Sequence, residues 1–223
     1  MRLVIVRHGE PNYEKDCLTE KGHVQAKLAA ERLSDEGIEE IFSSPMGRAK
    51  ETASYTSEKL GIKNLSVLDF MHELKWGSVD GNPIFADGHP WTISDELVRQ
   101  GWNLNDETWS GHDFFKNNLV TAECEKVASG TDEWLESLGY KREGLYYRNV
   151  NRDETQHTVA LFCHGGSSSA MIARIMNQTF PYVCATMHVD FTGITILRFD
   201  RFPGSLSVPS FEIASDSRHI KNC

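Results

Sequence analysis

The sequence predicts an α/β fold: a three-layer sandwich with a mainly parallel (mixed) central sheet flanked by helices, plus an irregular lid insertion. Three observations point to it. Strand-like and helix-like patterns alternate along most of the 223 residues. The runs 2–6 and 158–163 are continuously apolar, as strands covered on both faces are. The stretch 74–117 shows no sustained periodicity, which inside a compact domain marks a functional loop.

The elements follow in order. Residues 2–6 form the first strand, and a loop passes through Pro11 and Asn12. Thr19 is placed to cap a helix with Val24, Leu28, Ala29 and Leu33 on its apolar side, closed by Gly37. Residues 40–43 make a short strand. Ser44-Pro45 then reads as an N-cap with proline at the first helical position. The helix behind it places Met46, Ala49, Ala53 and Leu60 on one side and stops at Gly61. Residues 65–70 form another strand. The 74–117 segment holds a short helix near 92–100 and four of the five tryptophans: Trp76, Trp91, Trp102 and Trp109. Residues 118–138 are helical. The run 158–163 is a strand, and His164-Gly165-Gly166 leads into a helix carrying Met171, Ile172, Ile175 and Met176. Strands at 193–199 and 207–213 complete a single domain over 1–223.

Composition narrows the function. Lys and Arg number 23 against 32 Asp and Glu, a formal charge of −9. An acidic chain without a basic cluster is a poor nucleic-acid binder. No apolar run approaches the ~20 residues of a membrane span. The run at 2–6 is too short for a secretory signal. The five cysteines show no Cys-x-x-Cys spacing, so neither a disulfide framework nor a zinc site is expected. A soluble, cytoplasmic protein with reduced thiols is the expectation, with no membrane partner.

The chemistry gathers at two strand ends. His8 follows the first strand and His164 follows the strand 158–163, each with glycine next. In an open α/β sheet that edge binds ligands. Residues 165–169 would offer amides at a helix N-terminus, which favours an anion. Arg7 stands beside His8. Arg48 lies in a first helical turn, where a cation opposes the macrodipole unless an anion compensates. The arginine fork suits phosphate oxygens.

Arg7-His8-Gly9-Glu10 after an N-terminal strand resembles the opening motif of the histidine phosphatase superfamily, in its phosphoglycerate mutase-like branch. The likeness continues through Leu18-Thr19-Glu20-Lys21-Gly22 with Gln25-Ala26, then Ser43-Ser44-Pro45 with Arg48-Ala49 and Thr52-Ala53. Glu73 with Trp76-Gly77 and Gly81 is similar to the acidic segment, Cys163-His164-Gly165-Gly166 to the second histidine motif, and Ser217-Arg218-His219-Ile220 to the tail. The resemblance implies that His8 is the nucleophile, forming a phosphohistidine. It implies that Arg7, Arg48 and His164 hold the phosphate, and that Glu73 is the general acid and base, with Trp76 as a low-dielectric wall. No cofactor or metal is implied, and the histidines show no His-x-x-x-His zinc pattern. A small phosphorylated molecule is the expected partner. A homodimer is left open.

Departures bear on the reaction. Pro11 stands where the family has Ser or Thr, and Tyr13-Glu14 where it has an aromatic-Asn pair, which sets a carboxylate near the expected phosphate. The mutases carry an adjacent basic pair in the middle segment. Here Arg99 and Lys116 stand alone between 75 and 120. Gly111-His112-Asp113 is the nearest candidate for the family's Gly-Glu-Ser. These differences favour a phosphomonoesterase over a 2,3-bisphosphoglycerate-dependent phosphoglycerate mutase. A phospho-ligand binding module without turnover is the third alternative. His89, Arg99, Trp102 and His112 are the candidates for setting specificity. The tryptophans either line a pocket or pack the insertion, and packing is expected for at least two of the four.

Overall fold

A computed structural model describes residues 1–154, 156–221 and 223. The chain runs β1 (Arg2–Arg7), β2 (Pro11–Asn12), β3 (Cys17–Leu18), α1 (Glu20–Leu33), β4 (Glu40–Ser43), α2 (Gly47–Leu60) and β5 (Leu65–Val67). It continues through α3 (Pro90–Arg99), α4 (Leu119–Ser137), β6 (Tyr140–Glu143), β7 (Tyr146–Asn149), β8 (Thr158–Cys163) and α5 (Gly165–Met176). It ends with α6 (Phe180–Thr186), β9 (Ile194–Arg198), β10 (Leu206–Ser207) and β11 (Ser210–Asp216).

Six strands form the central sheet in the order β11-β9-β1-β8-β4-β5. Strands β1, β8, β4 and β5 are mutually parallel, while β9 runs against both neighbours. The sheet is therefore mixed and mainly parallel. Because side chains alternate across a strand, β1 and β8 feed two separate cores. Leu3, Ile5, Val159 and Leu161 pack with α3, α4, α5 and α6, whereas Val4, Val6, Ala160 and Phe162 pack on the side of α1 and α2. These are the three layers. Strand β1 lies at the centre, so its carboxyl end opens between β8 and β9.

Several elements differ from the sequence expectation. The helix capped by Thr19 ends at Leu33, before Gly37, and its buried face is Gln25, Ala26, Ala29, Ala30 and Leu33. Val24 lies off that face and is exposed. Helix α2 begins at Gly47, so Ser44-Pro45 is not its cap; Met46 holds that place with no side-chain bond. The expected strand 65–70 stops at Val67 and turns into a 3-10 helix at Asp69–Met71. The last strand is Ser210–Asp216, with Leu206–Ser207 pairing instead with β7. The hairpin β6–β7 and the helix α6 had no clear sequence signal.

The 74–117 segment is better ordered than its lack of periodicity suggests. His89 caps α3 through Thr92 N, Pro90 supplies the first turn, and Ile93, Leu97 and Phe115 are wholly buried in the core. Among the described residues, no helix is long and apolar enough to cross a membrane.

Candidate active site

His8 sits one residue beyond β1. Its amide donates to the Cys163 carbonyl at 2.9 Å and its carbonyl accepts from Thr192 at 3.2 Å, so neighbours on both sides hold its backbone. The next amide, Gly9, donates to Thr52 Oγ1 of α2 at 3.0 Å. The ring is wholly buried. Its Nδ1 lies 2.7 Å from the Gly9 carbonyl. A carbonyl only accepts, so Nδ1 carries the proton and Nε2 keeps its lone pair. Arg48 Nε donates to that Nε2 at 3.3 Å. Burial first, then the charges of Arg48 and Arg7, lower the imidazole pKa from 6.5 to about 3. The ring is therefore neutral near pH 7.

His164 follows β8 and is also wholly buried. Its Nε2 lies 2.7 Å from Ser44 Oγ, which accepts from the Met46 amide at 3.3 Å. A Ser44 hydroxyl that donates to Nε2 leaves Nδ1–H as the donor. That Nδ1 has no partner among the described residues. The two imidazole centroids are 5.1 Å apart. Burial, reinforced by His8 and Arg48, depresses this pKa as well.

The arginines are held from outside. Arg7 Nη1 donates to the Val189 carbonyl at 2.6 Å, its guanidinium lies 4.3 Å from the Phe191 ring centre, and its buried Nε is unpartnered. Arg48 Nη1 donates to Asp16 Oδ1 at 2.5 Å, while Asp16 Oδ2 accepts from the Gly47 amide at 2.7 Å. Asp16 thus supplies both the helix cap expected of Ser44 and the counter-charge that a first-turn arginine needs. Burial pushes the Asp16 carboxyl up, but the Gly47 amide and the Arg48 guanidinium outweigh it and hold the pKa below the ordinary value. A side chain at Gly47 would put Cβ 2.2 Å from the Asp16 carbonyl, so only glycine admits this approach.

Glu73 Oε1 accepts from the amides of Leu74 at 3.0 Å and Gly166 at 3.1 Å. The N-terminus of α5 is thus met by the protein's own carboxyl group. Burial raises the Glu73 pKa against the opposing pull of the Leu74 amide, Arg48 and Arg7. A Cβ on Gly166 would come within 2.6 Å of Oε1.

Donor atoms of His8, Glu73 and His164 lie within 4.8 Å of one another, a grouping that could hold a metal ion. No His-x-x-x-His spacing announces it, because three distant segments build it. Two guanidinium groups beside the cluster make it better suited to an anion than to a cation.

A cleft of about 980 Å³ opens above these groups, with Arg7, Arg48 and Glu73 in its lining. Its walls include Tyr13, Trp76, His89, Trp91, Asp95 and the stretch 184–189. Trp102 packs on His112 and Trp109 on Phe115, with centroids 5.2 and 5.0 Å apart, and neither lines the cleft. Arg99 pairs with Glu96 and stays outside, as do His112 and Lys116. Glu14 is exposed and does not face the site, whereas the Tyr13 ring centre lies 5.4 Å from the Arg48 guanidinium. The roles of Asp16, of Ser44 as partner of His164, and of Val189 and Phe191 had no signal in local spacing. A second hollow, of about 750 Å³, lies near Met1, but Arg2, Arg198 and Arg201 there are all ion-paired.

Residues 3–113 match the family model of the histidine phosphatase superfamily, branch 1. The chain belongs to that superfamily. It is 26% identical over 211 residues to a protein of Hydrogenobacter thermophilus that goes under the name phosphoserine phosphatase 2, covering 89% of this chain and 90% of that one. It is 28% identical over 113 residues to a 2,3-bisphosphoglycerate-dependent phosphoglycerate mutase of Bartonella tribocorum, a match covering 45% of this chain and 50% of the mutase. Among solved structures, the mycobacterial glucosyl-3-phosphoglycerate phosphatase superposes with a TM-score of 0.66 at 23% identity, covering 97% of this chain and 99% of that chain. The phosphoserine phosphatase of Entamoeba histolytica superposes with a TM-score of 0.62 at 20% identity, covering 98% of each chain. These superpositions bear out the α/β fold of the family.

Proposed function

We propose that this histidine phosphatase superfamily member is a phosphomonoesterase that hydrolyses a small phosphorylated metabolite through a phosphohistidine on His8. The observation that carries the proposal is the His8 ring: neutral, tautomerically fixed by Gly9, with Nε2 as its lone-pair atom beside two guanidinium groups. The phosphate enters among Arg7, Arg48 and His164. A phosphate oxygen takes over the Arg48 Nε–H from His8 and releases the lone pair. His164 Nδ1–H and Arg7 Nε, both buried and unpartnered, are donors ready for the remaining oxygens.

His8 Nε2 then attacks phosphorus as the bond to the ester oxygen breaks. Glu73, whose carboxyl burial shifts toward the protonated form, is the group placed to give a proton to the departing oxygen. In the second step the Glu73 carboxylate takes a proton from water, the water oxygen bonds to phosphorus, and the nitrogen–phosphorus bond breaks. Phosphate leaves and Glu73 is protonated again.

The cleft lining supports hydrolysis over mutase chemistry. From the 74–117 segment it receives Trp76, His89, Trp91 and Asp95, with no Lys or Arg to hold a substrate carboxylate. The test is phosphate release from a panel of phosphomonoesters, 3-phosphoglycerate included, by wild type and His8→Ala, with alkaline quenching to trap the phosphohistidine. His8-dependent release with a trapped intermediate is expected. Undiminished turnover in His8→Ala would overturn the assignment. Exchange between phosphoglycerate isomers with little release would make the protein a mutase, and phosphate binding without either reaction would make it a binding module.

A further inference from the structure

Arg7 and Arg48 bring positive charge to the cleft lining, which also carries a carboxylate the phosphate chemistry does not use. Asp95, one turn after Trp91 on α3, lines the cleft and is exposed, and its carboxylate has no ion pair or hydrogen bond among the described residues. Beside it, Trp76, His89 and Trp91 make a cluster in which every pair is in contact. Trp76 meets Trp91 at 6.2 Å and His89 at 5.4 Å, both at 85°, and His89 lies 5.3 Å from Trp91. Rings set at right angles leave faces uncovered, and Trp76 keeps 37% of its surface exposed while lining the cleft. No lysine lines the cleft, and its arginines are Arg7 and Arg48, already placed at the phosphate.

A free carboxylate beside open indole faces is the combination that recognises an organic cation. The aromatic quadrupole attracts positive charge, and the carboxylate neutralises it. An ester carrying a carboxylate on its alcohol would meet Asp95 as a like charge, with no lysine in the cleft and no arginine beyond Arg7 and Arg48 to offset it.

Resting on the phosphatase assignment, we propose that the preferred substrate is the phosphomonoester of an amino or quaternary-ammonium alcohol. Its phosphate lies on Arg7 and Arg48, and its ammonium lies against Asp95, Trp76 and Trp91. Asp95 is then a specificity-determining residue of the leaving-group site. The ester bond joins the two ends, so a short alcohol between phosphate and ammonium fits the arrangement.

The experiment compares kcat/KM for phosphocholine, phosphoethanolamine, glycerol phosphate and 3-phosphoglycerate in wild type, Asp95→Asn and Trp76→Leu. The expected order places the ammonium esters first and 3-phosphoglycerate last. Asp95→Asn should lower the ratio of ammonium to neutral ester about tenfold, the scale of one partly solvated charge contact. A 3-phosphoglycerate rate equal to or above the ammonium esters, or a ratio unchanged in Asp95→Asn, would overturn the proposal. Tryptophan fluorescence titration of His8→Ala with phosphocholine and 3-phosphoglycerate separates the two assignments. If no ester is hydrolysed but phosphocholine still binds more tightly, the phosphatase assignment fails and the charge preference stands. If binding shows no preference, the charge proposal fails whatever the chemistry.

Discussion

Ser44→Ala distinguishes what the local sequence suggests from what the folded chain does. Ser-Pro before a helix looks like an N-cap, and the loss of a cap costs about 1 kcal/mol of stability without touching catalysis. In the structure α2 starts later, and its Gly47 amide is bound by Asp16. The Ser44 hydroxyl instead lies 2.7 Å from His164 Nε2, both residues being wholly buried. Removing it leaves a buried acceptor without a donor, a cost of about 1–3 kcal/mol. It also removes the hydrogen bond that orients the imidazole. If that bond holds the imidazole in its phosphate-binding tautomer, the cost appears in the transition state as a roughly 5- to 150-fold fall in kcat/KM. Inhibition by inorganic phosphate should weaken in parallel, because the same Nδ1–H would serve both. The assay is steady-state phosphate release, with phosphate as inhibitor, beside urea unfolding. A variant that loses stability but keeps wild-type kcat/KM and phosphate inhibition would refute the role assigned to Ser44.

Other outcomes follow from the same geometry. Asp16→Asn leaves the buried Arg48 short of its counter-charge and should lower stability by about 1–2 kcal/mol, since Asp16 itself is partly solvated; inorganic phosphate should raise Tm more in this variant than in wild type, and an equal rise would count against the pairing. Gly166→Ala drives a methyl to within 2.6 Å of Glu73 Oε1 and should reduce kcat at least tenfold, most for esters with poor leaving groups, while leaving the unfolding midpoint within about 1 kcal/mol. His8 binds its proton less tightly in the folded chain, at about 3 against 6.5, so the unfolded chain holds more protons between those values. Its stabilisation is complete above pH 6.5 and is lost as pH falls through that window; urea midpoints from pH 7 to pH 4 should show a slope that flattens in His8→Ala, and identical slopes would disprove it. The log of kcat/KM against pH should have an alkaline limb set by Glu73 above its ordinary 4.5, absent in Glu73→Gln.

The fold was readable because its signals are local. Strands β1 and β8 are buried on both faces and so are continuously apolar. The Thr19 cap bonds Gly22 only three residues on. The weak points were also local in cause. The alanine-rich face of α1 carries little hydrophobic contrast, and in the 74–117 segment burial falls on scattered positions such as Ile93, Leu97 and Phe115 rather than on a repeat.

The sequence by itself determined the chemical types of the candidate site, two histidines, two arginines and an acid in recognisable motifs, and the places of Arg7, His8 and His164 at strand ends. What only the tertiary structure decided is which atom of each residue is free. Gly9 settles the His8 tautomer, Ser44 the placement of the His164 ring, Asp16 the orientation of Arg48, and the amides of Leu74 and Gly166 the position of Glu73. Ser44 and His164 are separated by 120 positions, and Arg7 and Val189 by 182. No periodicity spans such distances. Hydrogen bonds are directional and short-ranged, so those pairings exist only once the sheet has brought the strand ends together.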